Sequence, residues 1–272
     1  MSETILAALE RYYDTVPRVG GARGEDFGPL TLFVQEGEGW PYYARPALGG
    51  PAEVGAEDVR KVLERQRELG VPEAFEWVAE TSPSLRTAVE AAGLHVHAHP
   101  LMVLDAGAQP LPPHPDVRLL GAGDPLLRAA VTVPALAFAA PGTALGEEGT
   151  AELAAALEDP GTEARRARVS GMLADGRTGM AAAVRDGVVL CSGQYNPVGE
   201  VAEVVGVGTL PAARRQGLAL AVTAALVAHA LERGARTVFL SAGDEDVARI
   251  YGRAGFRRVG TALIAEPAAR EA

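Results

Sequence analysis

The chain has 272 residues, of which 48% are hydrophobic and 22% are charged, and its formal net charge is −10. This length exceeds the usual size of one domain, so we expect two domains, and the composition is that of a globular protein with an apolar core. The negative charge argues against nucleic acid as a partner, because phosphate binding needs clustered lysine and arginine. It is compatible with a cationic or amine substrate.

Cysteine content and apolar runs exclude further classes of protein. Cys191 is the only cysteine, which excludes a disulfide framework and a multi-cysteine zinc site. It lies in the apolar run 188–191, which favours a small core residue over a nucleophile. The first 17 residues lack a basic head followed by an apolar stretch, and no apolar run has the length of a membrane span. We therefore expect a cytoplasmic protein with no membrane partner.

The first half of the chain alternates segments of helical and strand-like apolar periodicity. Gly70 and Gly93 each follow a helical segment, where glycine accepts the left-handed backbone that ends a helix. The predicted elements are a helix over 3–13 with Ser2 as its N-cap, strands over 30–34 and 41–44, a helix over 56–69, a strand over 75–79, a helix over 84–92 and a strand over 94–104.

Three histidines occur in the last of these strands. His95, His97 and His99 alternate, so all three project from one face of the strand. Residues on the same face of one strand seldom converge on a metal ion, and no second cluster completes a zinc shell. A solvent-facing or interface stripe is favoured, and the predicted site includes no metal.

A proline-rich segment divides the chain. Four prolines lie between Gln109 and Pro115, and neither a helix nor a central strand continues through such a segment. We predict an N-terminal domain over 1–108, a linker over 109–115 and a C-terminal domain over 116–272.

The second half repeats the order of the first: strands, helix, strand, helix, strand. Asp186 and Gly187 separate two apolar runs, which predicts a hairpin turn. The shared order indicates a divergent internal duplication and an α/β fold with mixed sheets. The predicted elements are a strand over 117–120, helices over 125–139 and 149–157, strands over 179–185, 188–195 and 202–210, a helix over 216–232, a strand over 237–241, a helix over 245–254 and a strand over 256–265.

The most informative segment joins the strand over 202–210 to the following helix. Pro211 turns the chain, and a loop containing Gly217 leads directly into the helix, so several unpaired amide hydrogens point outward. This pattern predicts a pyrophosphate site, with Arg214 and Arg215 as cationic donors and Ala219 leaving the first turn free of bulk. The P-loop ending and the three-glycine dinucleotide spacing are both missing. An arginine-capped surface loop is the alternative interpretation.

In chain order, a strand is followed by Pro211-x-x-Arg214-x-x-Gly217-x-Ala219, a helix, a second strand, and then Tyr251 before Gly255-Phe256. This order closely resembles that of the Gcn5-related N-acetyltransferase (GNAT) family over about residues 117–265. The resemblance implies a GNAT fold in the C-terminal half, acetyl-CoA as co-substrate and transfer of its acetyl group to an amine by direct attack. The implied cofactor contacts are Val207, Gly208, Thr209, Arg214, Arg215, Gln216, Gly217, Leu218, Ala219 and Asp244. Asp244 departs from the asparagine of the family pattern, although aspartate still caps a helix.

The resemblance also implies catalytic roles. An aliphatic amine with a pKa of about 10 must lose a proton before it attacks a thioester, and Glu203 occupies the position of a glutamate base in some family members. A main-chain amide at an irregular end of strand 207–209 would polarise the thioester carbonyl, and Tyr251 would protonate the leaving thiolate. A salt-bridged strand-face glutamate and a core-packing tyrosine remain the alternatives.

The N-terminal half lacks the turn motif before its helix over 56–69, and Glu53 stands where pyrophosphate would be repelled. We interpret this half as a degenerate GNAT-like domain, with Trp40, Tyr42 and Tyr43 in an acceptor pocket or in its core. His229 lies among apolar residues and is interpreted as structural. The expected partner is a small-molecule or peptide amine, and a homodimer remains open. The rival function is a coenzyme A-binding sensory or regulatory module without turnover.

Overall fold

The computed structural model describes residues 4–37, 39, 41–50 and 53–268. The chain divides into two compact units, here called unit 1 (residues 1–101 and 258–272) and unit 2 (residues 102–257). These units differ from the predicted domains at both ends: residues 102–108 belong to unit 2, and residues 258–272 belong to unit 1. The proline-rich segment lies inside unit 2.

Both units contain helices and strands. In chain order the elements before the proline-rich segment are α1 (Ile5–Val19), β1 (Ala22–Asp26), β2 (Leu30–Gln35), β3 (Ala44–Pro46), α2 (Ala56–Leu69), β4 (Phe75–Val78), α3 (Pro83–Ala91) and β5 (Leu94–Leu104). Those after it are β6 (Val117–Leu120), α4 (Leu127–Ala139), α5 (Thr150–Leu157), α6 (Pro160–Ala174), β7 (Gly179–Arg185), β8 (Val188–Val198), β9 (Val201–Thr209), α7 (Leu218–Glu232), β10 (Thr237–Ser241), α8 (Glu245–Arg253) and β11 (Phe256–Pro267).

Unit 1 has the strand order β1-β2-β3-β4-β11-β5. Strands β1, β2 and β3 are antiparallel, and β3 pairs in parallel with β4, which follows α2. The amphipathic helix α2 buries Val59, Val62 and Leu63 in the same apolar cluster as the fully buried Trp77 of β4. Burial of such side chains, each contributing about 1.5–3 kcal/mol, is the main stabilising term of this unit.

Unit 2 has the strand order β5-β10-β9-β8-β7-β6. Strands β6 to β9 are antiparallel, and β9 pairs in parallel with β10 across α7. Successive residues of β8 face opposite helices: Ser192 contacts α4, and Gly193 faces Leu226 of α7. Because successive strand residues point to opposite faces, α4 and α7 cover the two faces of the sheet.

The two halves of the chain exchange residues at their final strands: β11 belongs to unit 1 from residue 258 onward, and the last three residues of β5, 102–104, belong to unit 2. Strand β11 follows α8 of unit 2 but pairs with β4 of unit 1, with Ala262 opposite Val78. The end of β5, which follows α3 of unit 1, is the neighbour of β10 in unit 2. Apart from this exchange, both units show antiparallel strands, a helix, a parallel strand and a second helix. The predicted α/β class with mixed sheets is confirmed.

The structure corrects several predicted elements. The first helix begins after Thr4, whose hydroxyl accepts a hydrogen bond from the Ala7 amide at 3.3 Å, and it continues to Val19. Ser2, the predicted cap, lies outside the described residues. The strand predicted over 41–44 is observed at Ala44–Pro46, and β1 and α6 were not predicted. The hairpin turn is confirmed, since Asp186 and Gly187 both have positive φ.

No helix within the described parts of the chain is both long and apolar enough to cross a membrane.

Candidate active site

The chain between β9 and α7 forms a turn with two left-handed residues. After one turn of 3-10 helix at Pro211–Ala213, Arg215 and Gly217 adopt φ angles of 62° and 77°. Gly217 is the N-cap of α7 and adopts this backbone without a Cβ clash. Arg215 has a side chain, and the same conformation costs it about 1–2 kcal/mol. Backbone strain from left-handed residues with side chains is frequent at binding sites, where the surrounding structure maintains it.

The turn over residues 214–219, here called the α7 turn, presents open amide hydrogens. The first intrahelical hydrogen bond runs from the Ala221 amide to the Gly217 carbonyl at 3.0 Å. No acidic residue lies in the first turn of α7. With the positive end of the helix dipole, these groups form a site for an anion. Within the described part of the chain, no hydrogen bond takes the amide hydrogens of Arg215, Gln216, Gly217, Leu218 and Ala219.

A cavity of about 450 Å³ lies beside the α7 turn, and Gln216 forms part of its wall. Another part of the wall comes from residues 147 and 149–152, which include Glu147 and Glu152. Glu152 accepts a hydrogen bond from the Gly149 amide at 2.6 Å, and this bond holds the pKa of Glu152 below its usual value. The cavity therefore adjoins the α7 turn at Gln216 and contains acidic residues that suit a cation.

The guanidinium of Arg214 does not extend into solvent as a phosphate donor would. It donates to the main-chain carbonyls of Ala137, Ala140 and Ala144, at the end of α4 and in the segment that follows. Arg214 thus fixes that segment to the α7 turn. The predicted phosphate contact of its side chain does not agree with this geometry, whereas Arg215 is exposed beside the open amides.

Arg185, which sequence reasoning did not identify, reaches the same turn. Its Nη1 atom donates to Oε1 of Gln216 at 2.9 Å, and its Nη2 atom lies 2.7 Å from Oδ2 of Asp116. Arg185 ends β7, thirty-one residues before Gln216. This bond orients the Gln216 side chain, while the ion pair with Asp116 balances the charge of Arg185.

Strands β9 and β10 separate along their length. Their pairing ends where Phe239 lies opposite Glu203, so six residues of β9, from Val204 to Thr209, continue without a partner on that side. Glu203 lies at the point of separation and is partly exposed. An extended ligand can place its own hydrogen-bonding groups between two strands that part in this way.

A β-bulge interrupts β9 shortly before its end. Ser192 pairs with Gly208 and Gln194 pairs with Val205, so two residues of β9 face one residue of β8. Gly206 adopts a φ of 63° there. The predicted irregular strand end is confirmed, and it leaves main-chain groups of β9 outside the regular ladder.

Helix α4 packs directly on this bulge. A Cβ atom on Gly208 would lie 2.8 Å from Cα of Pro134 and 2.9 Å from Cβ of Ala137, so only glycine fits. Pro134 has no amide hydrogen to give to the carbonyl of Ala130. The fully buried Ser192 donates its hydroxyl to that carbonyl instead, at 2.7 Å. β8 thereby holds α4 against the bulge.

Tyr251 of α8 lies in the core of unit 2. Its side chain is 8% exposed, and its ring packs edge to face against Phe256 at 6.1 Å. Burial raises the pKa of Tyr251, the nearby Cys191 raises it further, and a hydrogen bond with Thr223 lowers it. Because Cys191 pairs with Thr209, Tyr251 lies near the end of β9. Its hydroxyl keeps its proton at neutral pH, as both a core role and an acid role require.

Two other predictions about single residues agree with the structure. Cys191 is fully buried, and burial raises the pKa of its thiol to about 12 while a hydrogen bond with Thr209 lowers it. A thiol with this pKa is a poor nucleophile at neutral pH. Asp244 is the N-cap of α8, accepting a hydrogen bond from the Val247 amide at 2.8 Å.

The histidines and aromatic residues singled out in the sequence are not part of the α7 turn. In unit 1, His97 lies 3.6 Å from Glu266, and among the described residues no three His, Cys, Asp or Glu side chains come together as metal ligands would. Tyr42 and Tyr43 are half-buried, and Trp40 lies outside the described residues. His229 contacts the hydroxyl of Tyr195 through its Nδ1 atom at 3.1 Å.

Solved structures with this fold are known. A GCN5-related N-acetyltransferase from Kribbella flavida is 22% identical, with 98% of this chain and 97% of that chain covered and a TM-score of 0.70. A GCN5-related N-acetyltransferase-like protein from Streptococcus suis is 13% identical, with 96% and 97% covered and a TM-score of 0.55. A tandem GNAT protein from the clavulanic acid biosynthesis pathway is 15% identical, with 89% and 79% covered and a TM-score of 0.51. At these identities the similarity shows the fold alone.

No curated protein matches the chain. A family model, the acetyltransferase (GNAT) family, matches residues 148–256. The matched segment includes the α7 turn, the separating strands β9 and β10, and Tyr251. The chain therefore has the GNAT fold, and its residues 148–256 are a domain of the acetyltransferase (GNAT) family.

Proposed function

We propose that unit 2 binds acetyl-CoA and transfers its acetyl group to an amine by direct attack. The observation that carries this proposal is the combination of the open amides of the α7 turn with the separation of β9 from β10 beyond Glu203. A diphosphate suits the first feature, and the amide-containing arm of coenzyme A suits the second. Membership of residues 148–256 in the acetyltransferase family supports the same assignment.

The proposed orientation of the co-substrate follows from these two features. The pyrophosphate accepts hydrogen bonds from amides 215–219, with Arg215 as the exposed cation. The arm extends along β9, with Val207, Gly208 and Thr209 as its main-chain partners and the thioester near the bulge. Leu218 is buried and Ala219 is small, so both contribute through main-chain atoms. Asp244 contributes by fixing the start of α8.

The proposed chemistry moves one proton overall from the amine to the thiolate. Glu203, directly or through water, accepts a proton from the ammonium, and the free amine attacks the thioester carbonyl carbon. A main-chain amide at the bulge stabilises the negative charge that develops on the carbonyl oxygen. The carbon–sulfur bond then breaks, and the hydroxyl of Tyr251 protonates the thiolate. The proton that the nitrogen loses on becoming an amide returns to Tyr251 through water, and Glu203 releases its proton to solvent. Cys191 takes no part, because its buried thiol keeps its proton.

The test combines binding with turnover. Calorimetry with acetyl-CoA measures affinity, and release of the free thiol in the presence of a panel of amines measures transfer. Tyr251→Phe should lower kcat by about a hundredfold while leaving the Kd nearly unchanged. Tyr12→Phe, a buried tyrosine of unit 1, is the matched control and should change neither value.

Each outcome has a distinct meaning. Equal turnover by wild type and Tyr251→Phe removes Tyr251 from the mechanism. Binding of acetyl-CoA without turnover of any amine favours a coenzyme A-binding sensory or regulatory module. Absence of acetyl-CoA binding overturns the proposal altogether.

A further inference from the structure

Unit 2 contains a second cavity that the proposed acetyl transfer does not use. It measures about 290 Å³ and lies among the end of β6, the end of α6, the start of β7, the second half of β8 and the last turn of α7. His229 follows Leu218 by 11 residues, so at about 1.5 Å per residue the cavity lies roughly 17 Å along α7 from the anion site. Its lining residues are Leu119, Leu120, Gly121, Ala122, Leu173, Gly176, Thr178, Gly179, Met180, Tyr195, His229 and Arg233.

A hydrogen-bonded pair of side chains forms one wall of this cavity. The hydroxyl of Tyr195, a residue that is only 2% exposed, lies 3.1 Å from Nδ1 of His229. The buried hydroxyl of Thr178 donates to the Tyr195 carbonyl at 2.9 Å and fixes the position of that residue. Gly179 makes room for the tyrosine ring, because a Cβ atom there would lie 2.2 Å from it. The wall is therefore built by packing.

The polar groups of this wall retain unused hydrogen-bonding capacity. A tyrosine hydroxyl can form more than one hydrogen bond, and the described residues offer no partner to Nε2 of His229. His229 is partly exposed, so a polar ligand in the cavity can replace water at Nε2. The apolar side chains on the other walls, Leu120, Leu173 and Met180, indicate that part of the ligand is hydrocarbon.

The charge of the cavity is positive. Arg233 lies in the lining, where its Nη2 atom is 3.2 Å from the position of a Cβ on Gly176, and its charge lowers the pKa of Tyr195 against the larger effect of burial. Arg233 forms no ion pair with any described residue, and the lining contains no aspartate or glutamate. A ligand with one negative charge fits this balance.

We propose that this cavity binds a short-chain aliphatic carboxylate. The Tyr195 hydroxyl donates to Nδ1 of His229, the carboxylate accepts hydrogen bonds from Nε2–H of His229 and from Arg233, and the alkyl chain contacts the leucine and methionine side chains. The volume admits a chain of a few carbon atoms and excludes a coenzyme. This site is independent of acetyl-CoA binding at the α7 turn.

Butyrate is the test ligand, butyramide its neutral counterpart, and ligand-observed NMR and calorimetry on the full chain are the measurements. Butyrate should bind and butyramide should bind at least tenfold more weakly, because a charge-assisted hydrogen bond is lost. Arg233→Gln should weaken butyrate binding by about tenfold. Arg236→Gln, an exposed arginine paired with Glu200 at 3.0 Å, should leave it unchanged.

Three results overturn the proposal: no binding of butyrate, equal binding of butyrate and butyramide, or equal affinity in wild type and Arg233→Gln. Saturating acetyl-CoA should not displace butyrate, and displacement would assign the bound carboxylate to the α7 turn instead. Arg233 is exposed, so its substitution should leave the melting temperature unchanged, and the affinity change can be interpreted directly. Failure of acetyl-CoA to bind would affect the proposed transferase function and not this site.

Discussion

Helices α2 and α7 both follow antiparallel strands and precede a parallel strand, but the charges at their N-termini differ. Each helix has glycine as its N-cap, Gly55 in α2 and Gly217 in α7. In α2 the carboxylate of Asp58 accepts a hydrogen bond from the Gly55 amide at 3.1 Å, and Glu57 adds a second negative charge. In α7 the corresponding positions hold apolar side chains, and the amides stay open among the described residues.

This difference shows how a repeated fold keeps or lacks an anion site. A carboxylate in the first turn satisfies the amides and the helix dipole, and it repels a phosphate. In α7 no such carboxylate is present, and the N-cap Gly217 is left-handed where Gly55 of α2 is extended, so its open amides can hold an external anion. Under the proposed function, the side chains of the first turn together with the N-cap backbone distinguish the unit that binds a diphosphate.

The largest effect should come from giving α7 the cap of α2. Leu220 occupies in α7 the position of Asp58 in α2, so Leu220→Asp places a carboxylate at the open amides. Repulsion between charges about 5 Å apart at an effective dielectric constant of about 20 amounts to roughly 3 kcal/mol, or about a hundredfold in Kd. Calorimetry with acetyl-CoA measures this change. Leu220→Asn is the neutral control, and equal affinities for the two variants would show that charge at this position is unimportant.

A smaller loss of affinity should follow removal of the exposed cation in the α7 turn. Arg215→Gln should weaken acetyl-CoA binding by about tenfold and reduce its dependence on salt, because one charge-assisted contact is lost. Arg60→Gln, in α2, is the control and should leave the affinity unchanged. If the two variants bind equally well, the phosphate is held by main-chain atoms alone.

Backbone conformation gives a third comparison, between Gly217 and the glycine that ends α2. Gly217 and Gly70 have φ angles of 77° and 64°, and a Cβ atom at either would meet no atom within 4 Å. Alanine at either position should therefore lower the free energy of unfolding by about 1 kcal/mol, through backbone strain alone. Urea unfolding measures this loss. Only Gly217→Ala should also weaken acetyl-CoA binding, and an equal change in both variants would contradict the assignment.

The smallest effect is expected in α2 itself. Asp58→Asn keeps an acceptor for the Gly55 amide but removes the negative charge, so the protein should lose about 0.5 kcal/mol of stability. Acetyl-CoA affinity should stay the same. A gain of anion binding in unit 1 would show that the carboxylate of Asp58 alone prevents an anion from binding at the start of α2.

Local sequence signals predicted the elements with clear ends. Gly70 marked the end of α2, and Asp186-Gly187 marked the β7–β8 turn, because each needs a backbone conformation that few residues adopt. Helix α6 was missed even though Asp159 caps it and Pro160 begins it. Most of its side chains are exposed, so its apolar periodicity is weak.

Parts of the candidate site could likewise be predicted from local sequence, and other parts could not. The left-handed turn at Gly217 could be predicted from residues adjacent in sequence. The roles of Arg185 and Ser192 could not, because their partners Gln216 and Ala130 are 31 and 62 residues away. The contacts of Arg214 with residues 137–144 depend in the same way on distant backbone. Local patterns also contain no signal for the exchange of β5 and β11, since they do not specify which strand pairs with which.

That exchange affects the order in which the molecule can be completed during synthesis. Strand β4 acquires its neighbour β11 only after nearly all of the polypeptide has left the ribosome. Until then, β4 exposes an unpaired edge, the kind of surface that promotes aggregation. A cut at the proline-rich segment would therefore separate β4 from β11, its antiparallel partner in unit 1.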